Sequence, residues 1–224
     1  MDPSSSSAAQ NLAEAGYAGF AAAFVRGRLG PASGDEADGA AIERGLAEGL
    51  RLHRFKRNAE LPRVRKVLGI LRGLAPASLV DVGSGRGTFL WPLLEALPGV
   101  PVTSVERSAS RADELAAVRR GGIDGLRVLH ADVTRLPLAD GAVDVALALE
   151  VLEHLRDPGF AVRELARCAR RFVVATVPSY PDDNPEHIQL FSPSDLTGIF
   201  EAAGAQRVEI TGVHGHHVVV ARLA

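Results

Sequence analysis

The alternation of apolar and polar positions predicts strands and helices that follow one another from Leu79 to Arg222. Short apolar runs bounded by turn residues are typical of buried strands, and the longer segments between them have helical periodicity. Strand–helix units that end in a hairpin predict an α/β fold with a doubly wound, mostly parallel sheet. The predicted strands are Leu79–Val82, Val100–Glu106, Leu126–Ala131, Val143–Leu149, Arg171–Val177, Gln206–Thr211 and His217–Arg222.

The segment before the first strand has a different pattern, with helical periodicity and no strand signals. Its first nine residues are rich in Ser and Ala and are predicted to be a disordered tail. Without strand partners, the helices are expected to form a cap that precedes the sheet. We therefore predict a tail over 1–9, a helical cap over 10–58 and a cofactor-binding domain over 59–224. The predicted N-terminal helices are Asn11–Arg28, Ala40–His53 and Leu61–Leu74.

Composition narrows the classes of protein that the chain can belong to. The net charge of −2 gives no overall attraction to nucleic acid, and the single Cys168 excludes an intramolecular disulfide framework. No apolar run approaches the roughly 20 residues of a membrane span. The N-terminus lacks the charged and apolar regions of a signal peptide. We expect a soluble cytoplasmic protein.

A glycine-spaced turn follows the first predicted strand. Asp81 stands inside that strand, and Gly83, Gly85 and Gly87 follow before a helical pattern. Glycines allow positive φ and close approach of the backbone, and the amides at a helix start suit a polar or anionic ligand. The spacing departs from the dinucleotide fingerprint, which requires a glycine where Thr88 stands. The pattern therefore predicts a cofactor loop and disfavours a nucleotide-binding oxidoreductase.

Acidic residues mark the ends of the next strands. Glu106 ends the second strand, where an acid can accept hydrogen bonds from ribose hydroxyls. Asp132 follows the third strand beside the apolar Val133, a pair suited to an adenine amino group and ring face. Glu150 follows the fourth strand.

The order and spacing of these motifs resemble the class I S-adenosylmethionine-dependent methyltransferases, from about Leu61 to the C-terminus. The resemblance implies a Rossmann-like sheet of seven strands, with the seventh inserted antiparallel between the fifth and sixth. It also implies S-adenosylmethionine over the carboxyl ends of the first strands. The implied donor contacts are Asp81, Gly83 and Gly85 to the methionine moiety, Glu106 to the ribose, Asp132 and Val133 to the adenine, and Glu150 beside them.

A second cluster of polar residues follows the fourth and fifth strands. Glu150, Glu153 and His154 come after the fourth strand, and His187 comes after the fifth. A helix beginning at Glu150 would place the two acids on one side. Two carboxylates and two imidazoles suit a divalent cation such as Mg²⁺, Mn²⁺ or Fe²⁺. The sequence therefore suggests a metal site made by these four residues.

This Glu-x-x-Glu-His pattern with a later His resembles two methyltransferase groups. One is the ubiquinone-pathway O-methyltransferases, which act on catechols, and the other is the small-RNA 3′-end 2′-O-methyltransferases, which act on a vicinal diol. The resemblance implies a metal that lowers the pKa of the acceptor hydroxyl. His154, His187 or Glu150 would then be the catalytic residues. The alternative is a metal-free enzyme, in which the acids favour the positive end of a short helix.

The resulting hypothesis is a methyltransferase that modifies the oxygen of a small hydroxylated acceptor. The alternatives are an RNA 2′-O-methyltransferase, a nucleotide-binding oxidoreductase and a catalytically silent cofactor-binding protein. A basic stretch from Arg51 to Lys66 could follow phosphates, but we expect a solvated helix face. Trp91 is expected in the core and Tyr180 in the acceptor pocket. His214 or His216 could line that pocket, because the turn between the last two strands opens on the cofactor side of the sheet, but an exposed turn is favoured.

Overall fold

A computed structural model describes residues 16–32, 36–56 and 59–223 of the chain. The predicted tail over 1–9 and the start of the helix predicted from Asn11 lie outside these residues. The described residues form a seven-stranded sheet in the order β3-β2-β1-β4-β5-β7-β6. The strands are β1 (Leu79–Val82), β2 (Val102–Glu106), β3 (Leu126–His130), β4 (Val143–Leu149), β5 (Ala169–Pro178), β6 (Arg207–Val213) and β7 (His216–Arg222).

Seven α-helices are described, together with short 3-10 turns over Leu52–Phe55 and Leu152–His154. None of the described helices combines the length and apolar content that crossing a bilayer requires. The helices are α1 (Ala18–Leu29), α2 (Asp38–Ala47), α3 (Pro62–Leu74), α4 (Leu90–Ala96), α5 (Ala109–Arg120), α6 (Pro158–Cys168) and α7 (Pro193–Ala202).

The topology confirms the predicted doubly wound sheet. Strands β1 to β5 pair in parallel, and β7 lies antiparallel between β5 and β6. The strand order reverses between β1 and β4, so their connections diverge to opposite faces of the sheet. In open α/β sheets, such a reversal leaves a crevice at the carboxyl edge where ligands bind.

Two hydrophobic clusters cover the two faces of the sheet. On one face, Leu79, Leu147 and Val174 pack with helices α1 to α5. On the other face, Val80 and Val173 pack with helices α6 and α7. Neighbouring residues of one strand point to opposite faces, so the central strands are apolar along their whole length.

The N-terminal helices share the first of these clusters with the sheet. Helix α1 lies so close to α5 that a Cβ on Gly27 would stand 1.8 Å from the carbonyl oxygen of Ala117. A Cβ on Gly121 would meet the carbonyl oxygen of Ala23 at the same distance of 1.8 Å. The predicted cap therefore leans on a helix of the sheet domain through backbone contact, and the domain boundary at 58/59 stays a prediction.

One local expectation was wrong. The second predicted helix ends at Ala47 instead of His53, because Gly49 has a φ of +74° and breaks the helical path.

Ser108 stands at the N-cap position of α5, but its side chain accepts no hydrogen bond from an amide of that helix. Its own amide donates to Glu106 Oε1 at 2.8 Å, so the cap position serves the neighbouring strand end.

Replacing Gly27 by Ala is expected to destabilise the protein by about 2–3 kcal/mol, because the added methyl meets backbone that cannot rotate away. The measurement is the free energy of unfolding from urea denaturation.

Gly69→Ala is the matched control, since Gly69 is an exposed helical glycine at which an added Cβ would have nothing within 4 Å. It should stabilise the protein by about 0.5–1 kcal/mol. Equal stability of the two variants would contradict the close approach of α1 and α5.

Candidate active site

Two adjoining clefts open at the carboxyl edge of the sheet. The larger cleft, of about 460 Å³, reaches from the ends of β1 and β2 to Asp132 and His154. The smaller cleft, of about 230 Å³, lies over Asp81 and the glycine loop and beneath helix α3. Gly83, Glu150 and Arg111 line both, so the two clefts form one continuous crevice.

All three glycines of the loop have positive φ, at +73°, +56° and +84° for Gly83, Gly85 and Gly87. A Cβ at Gly83 would stand 2.6 Å from Val151, and one at Gly87 would stand 2.1 Å from the Trp91 ring. The backbone conformation therefore favours glycine at all three positions, and at Gly83 and Gly87 a side chain would also clash with a neighbour. Trp91 lies in the core, as predicted.

The carboxyl group of Asp81 is buried and ends a chain of hydroxyl groups. Ser104 Oγ donates to Ser84 Oγ at 2.7 Å, and Ser84 Oγ donates to Asp81 Oδ2 at 2.6 Å. Burial raises the pKa of Asp81 to about 7, and the charge of Glu106 acts in the same direction. A positively charged ligand group would replace the lost hydration of this carboxylate.

Glu106 holds the glycine loop against the start of α5. Its Oε2 accepts from the amide of Gly85 at 2.9 Å, and its Oε1 accepts from the amide of Ser108 at 2.8 Å. A carboxylate oxygen has two acceptor sites, so each oxygen can accept one further hydrogen bond.

Asp132 and Val133 line the far end of the larger cleft. Asp132 Oδ1 accepts from the amide and the hydroxyl of Thr134 at 2.9 and 2.7 Å, and these bonds lower the pKa of Asp132. Val82 and Val105 add apolar walls beside Val133. This end of the cleft combines an ionised acid with an apolar surface.

Glu153, His154 and His187 form a cluster behind the larger cleft. A carboxylate oxygen and one ring nitrogen from each histidine lie within 4.8 Å of one another. Neither oxygen of the buried Glu153 has a hydrogen-bond partner among the described residues. Burial, with the charges of Glu150 and Asp182, raises the pKa of Glu153 to about 8. Such a group is stabilised by a proton or by a cation.

The two loops that supply this cluster are fixed to each other. His154 Nδ1 lies 2.9 Å from the carbonyl oxygen of Glu186, and the amide of Ile188 donates to the carbonyl oxygen of Glu153 at 3.0 Å. Asp182 Oδ2 lies 2.9 Å from His187 Nδ1. His154 Nε2 is thereby left for a ligand. His187 Nδ1 makes no hydrogen bond among the described residues, and His187 Nε2 lies 3.9 Å from Glu153 Oε1.

Glu150 does not join this cluster, although the sequence suggested it as a fourth ligand. No helix begins at Glu150, because its φ is +59° and the 3-10 turn starts only at Leu152. The carboxylate instead contacts Thr176 Oγ1 at 2.7 Å and His216 Nε2 at 3.0 Å.

Sequence comparison gives the family of the central part of the chain. Residues 80–172 match the family model described as a methyltransferase domain. A probable S-adenosylmethionine-dependent methyltransferase of Mycobacterium tuberculosis is 33% identical over 116 residues, which cover 46% of this chain and 42% of that protein. Over these residues the chain is similar to S-adenosylmethionine-dependent methyltransferases.

A longer alignment joins the chain to the ubiquinone biosynthesis O-methyltransferase of Ralstonia nicotianae. The two are 25% identical over 164 residues, which cover 62% of this chain and 67% of that protein. The chain spans less than half the length of most of the other curated relatives that it matches.

Solved structures share the fold of this chain. A methyltransferase from Aquifex aeolicus superposes with a TM-score of 0.63 and 24% identity, covering 75% of this chain and 93% of that one. The magnesium protoporphyrin IX methyltransferase of Synechocystis, solved with S-adenosylhomocysteine bound, gives a TM-score of 0.56 at 16% identity and covers 72% and 82% of the two chains.

The site also involves Arg63, Asp182 and His216, which the sequence did not favour as site residues. Arg63 lines the smaller cleft, although its basic stretch was expected to be a solvated face. Asp182 lies against His187, and His216 contacts Glu150, although an exposed turn was expected. The acid five residues before His187 was a usable signal for Asp182. No sequence signal pairs His216 with Glu150, which lies far away along the chain.

The stability of the ligand-free protein is expected to depend on pH through Asp81. The folded pKa of about 7 lies above the usual value near 3.8, so this contribution is complete below about pH 4 and is lost as the pH rises through 7. The unfolding free energy of the wild type should therefore fall relative to Asp81→Asn over this range, by on the order of 3 kcal/mol.

Asp124→Asn is the control, because Asp124 is an exposed acid outside the crevice. This variant should keep the fall in unfolding free energy that the wild type shows. Parallel pH profiles for the wild type and Asp81→Asn would contradict the assignment to Asp81.

Proposed function

We propose that the protein transfers the methyl group of S-adenosylmethionine to a hydroxyl oxygen of a small acceptor that carries two adjacent oxygen atoms. We further propose that a divalent cation assists the transfer. The observation that carries the proposal is the buried carboxylate of Glu153, which has no hydrogen-bond partner among the described residues and stands with two imidazoles. A catechol or a vicinal diol has the paired oxygens that such a site would bind.

The donor would lie with its methionine moiety in the smaller cleft and its adenine at the far end of the larger cleft. Asp81 would pair with the methionine ammonium, and Arg63 in the same cleft would pair with its carboxylate. The backbone at Gly83 and Gly85 leaves room for this moiety. The ribose hydroxyls would donate to the remaining acceptor sites of Glu106, and the adenine would lie at Val133 with its amino group on Asp132.

The residues behind the larger cleft fit a divalent cation. Glu153 would supply an oxygen, and His154 and His187 would each supply Nε2, with Asp182 orienting His187. Two imidazoles with one carboxylate favour Fe²⁺ or Mn²⁺ over Mg²⁺. A bound cation would lower the pKa of an acceptor hydroxyl beside it.

The acceptor would approach from the side of the β5 loop. His187 lines a further cleft of about 180 Å³ there, together with Tyr180, Ile188 and Leu190. These three apolar side chains are each about half exposed, at 53%, 53% and 49%. They offer a surface for an aromatic ring whose oxygens point toward His154 and His187.

The chemistry that remains for the protein is mainly alignment, because the methyl group of the donor already has an activated leaving group. The crevice would hold the donor sulfur, the methyl carbon and the acceptor oxygen in line. With both imidazoles bound to the cation, the carboxylate of Glu150 would take the hydroxyl proton; in a metal-free site an imidazole of His154 or His187 could take it.

The similarity to a ubiquinone biosynthesis O-methyltransferase supports an oxygen acceptor of small size. An RNA acceptor has less support. Arg54 of the basic stretch pairs with Glu114, and Arg63 faces the donor cleft, so neither is left to follow phosphates. No observation favours the oxidoreductase.

Calorimetry is expected to show binding of S-adenosylhomocysteine and none of NAD. Asp81→Ala should weaken the binding by about 10- to 100-fold, the value of a hydrogen bond to a charged group. Labelled S-adenosylmethionine should then methylate 3,4-dihydroxybenzoate in the presence of Mn²⁺.

Binding of NAD without S-adenosylhomocysteine would contradict the donor. Binding of S-adenosylhomocysteine without transfer to any catechol, diol or RNA terminus would favour the catalytically silent alternative.

For the metal, Co²⁺ is a suitable probe because its visible absorption reports nitrogen and oxygen ligands. Glu153→Gln is expected to lower Co²⁺ affinity by at least about 100-fold, since the site loses its single carboxylate. The control is Asp183→Asn, an exposed acid on the loop that carries His187, and it should bind Co²⁺ like the wild type.

Unchanged binding of S-adenosylhomocysteine would show that Glu153→Gln is folded. Wild-type protein that gives no Co²⁺ spectrum, or Glu153→Gln that keeps the full affinity, would refute the metal site.

A further inference from the structure

Glu150 occupies a position that is costly for its residue type. Its φ of +59° is in the left-handed region, where a residue with a Cβ is strained by about 1 kcal/mol or more. Among the described residues, only Ala75 shares such a φ without being glycine. The residue also lines both clefts, at the point where the donor and acceptor sides meet. This backbone conformation places the side chain at this junction.

Two neighbouring strands hold the carboxylate of Glu150 in place. Thr176 of β5 donates from Oγ1 to Oε1 at 2.7 Å, and His216 of β7 stands with Nε2 3.0 Å from Oε2. Thr176 is fully buried. Strand β7, which carries His216, pairs antiparallel with β5. Both oxygens therefore have a partner that belongs to the sheet, which is unlike the orphaned oxygens of Glu153.

His216 is held on both sides of its ring. Its Nδ1 lies 3.0 Å from the carbonyl oxygen of His214, and its Nε2 faces the carboxylate. Both partners only accept hydrogen bonds, so they are satisfied together only when each ring nitrogen carries a hydrogen. In that state the ring is a cation opposite an anion. Glu150 thus has a hydrogen-bond partner at Oε2 that does not depend on a metal ion.

We propose that His216, with Thr176, is a positioning residue that keeps Glu150 out of the metal ligand set and presents it to the acceptor hydroxyl as the proton acceptor. In the transfer, the O–H bond breaks and its proton goes to a Glu150 oxygen. A lone pair of the hydroxyl oxygen forms the new bond to the methyl carbon, and the carbon–sulfur bond breaks to leave neutral S-adenosylhomocysteine.

This inference rests on the proposed function and sharpens its site. A ligand set of Glu153, His154 and His187 leaves more positions for the two acceptor oxygens than a set of four would leave. It also separates the group that binds the cation from the group that takes the proton. The four-residue metal site suggested by the sequence would combine both tasks in Glu150.

The deciding experiment compares Co²⁺ binding to Glu150→Gln and Glu153→Gln in the full chain. The amide in Glu150→Gln can still accept from Thr176, so Co²⁺ affinity should stay within about 3-fold of the wild type, whereas Glu153→Gln should lose at least about 100-fold. An equal loss in both variants would make Glu150 a ligand and overturn the proposal.

The role of His216 is tested by turnover of 3,4-dihydroxybenzoate. His216→Ala should lower kcat by about 10- to 100-fold, with KM and Co²⁺ affinity unchanged. This is less than the roughly 10²–10⁴-fold contribution of a proton-transfer group, because Glu150 itself remains. His216→Gln keeps one N–H donor for Glu150 and should recover most of that loss. His214→Ala is the matched control, since this exposed histidine meets His216 only through its backbone.

Equal kcat values for His216→Ala and His214→Ala would overturn the positioning role, provided that both melt at the same temperature. Failure of the wild type to bind Co²⁺ or S-adenosylhomocysteine would instead refute the proposed function. If the wild type binds both but does not turn over the probe, the Co²⁺ comparison of Glu150→Gln and Glu153→Gln still decides the inference.

Discussion

The hydrogen bond from the amide of Gly85 to the carboxylate of Glu106 fixes the crevice on which the site is built. It joins the tip of the glycine loop to the end of β2, while the amide of Gly83 donates to the carbonyl oxygen of Val105 at 2.8 Å. The other side of the loop rests on Trp91, whose ring leaves no room for a side chain at Gly87. Phe20 and Phe55 of the N-terminal helices pack on the same ring. The helical cap thus supports the loop from beneath, and the close contact of α1 with α5 holds that support in place.

The site concentrates groups that reduce the stability of the ligand-free protein. Asp81 and Glu153 are buried acids with raised pKa values, and Glu150 has a strained backbone. Natural sequences depart from locally favourable choices mainly at functional sites. Each of the two acids would be relieved by a ligand of opposite charge, the ammonium group of the donor for Asp81 and a cation for Glu153. Ligand binding and folding stability are therefore linked at both ends of the crevice.

Most of the fold was predictable from the sequence, because the strands are apolar runs separated by turn residues. The glycine loop and the acids at Glu106 and Asp132 were predictable for a similar reason, since their positions follow from local spacing along parallel strands. The conformation at Glu150 was not predictable. The sequence favoured a helix there, but the contacts of its carboxylate come from β5 and β7, and these long-range contacts outweigh local preference. The ring of His216 reaches Glu150 only because β7 is inserted beside β5. A family resemblance implied this insertion, whereas the partner of one side chain depends on strand register and rotamer.

The two halves of the crevice differ in how far apart along the chain their residues lie. The donor half is built from strand ends and one loop, so short motifs near Asp81, Glu106 and Asp132 specify it. The acceptor half is built from a 3-10 turn after β4, a long loop after β5 and the β6–β7 hairpin, which are far apart in the chain. Changes in any one of these segments would alter the acceptor surface without disturbing the donor contacts. The pairing of Glu150 with His216 lies at the boundary, because one residue belongs to the strand edge that faces the donor and the other to the hairpin. A shift of that hairpin would therefore remove the His216 contact from the Glu150 carboxylate. Glu150 would then be free to act as a metal ligand instead of a proton acceptor, the two roles that the sequence left open.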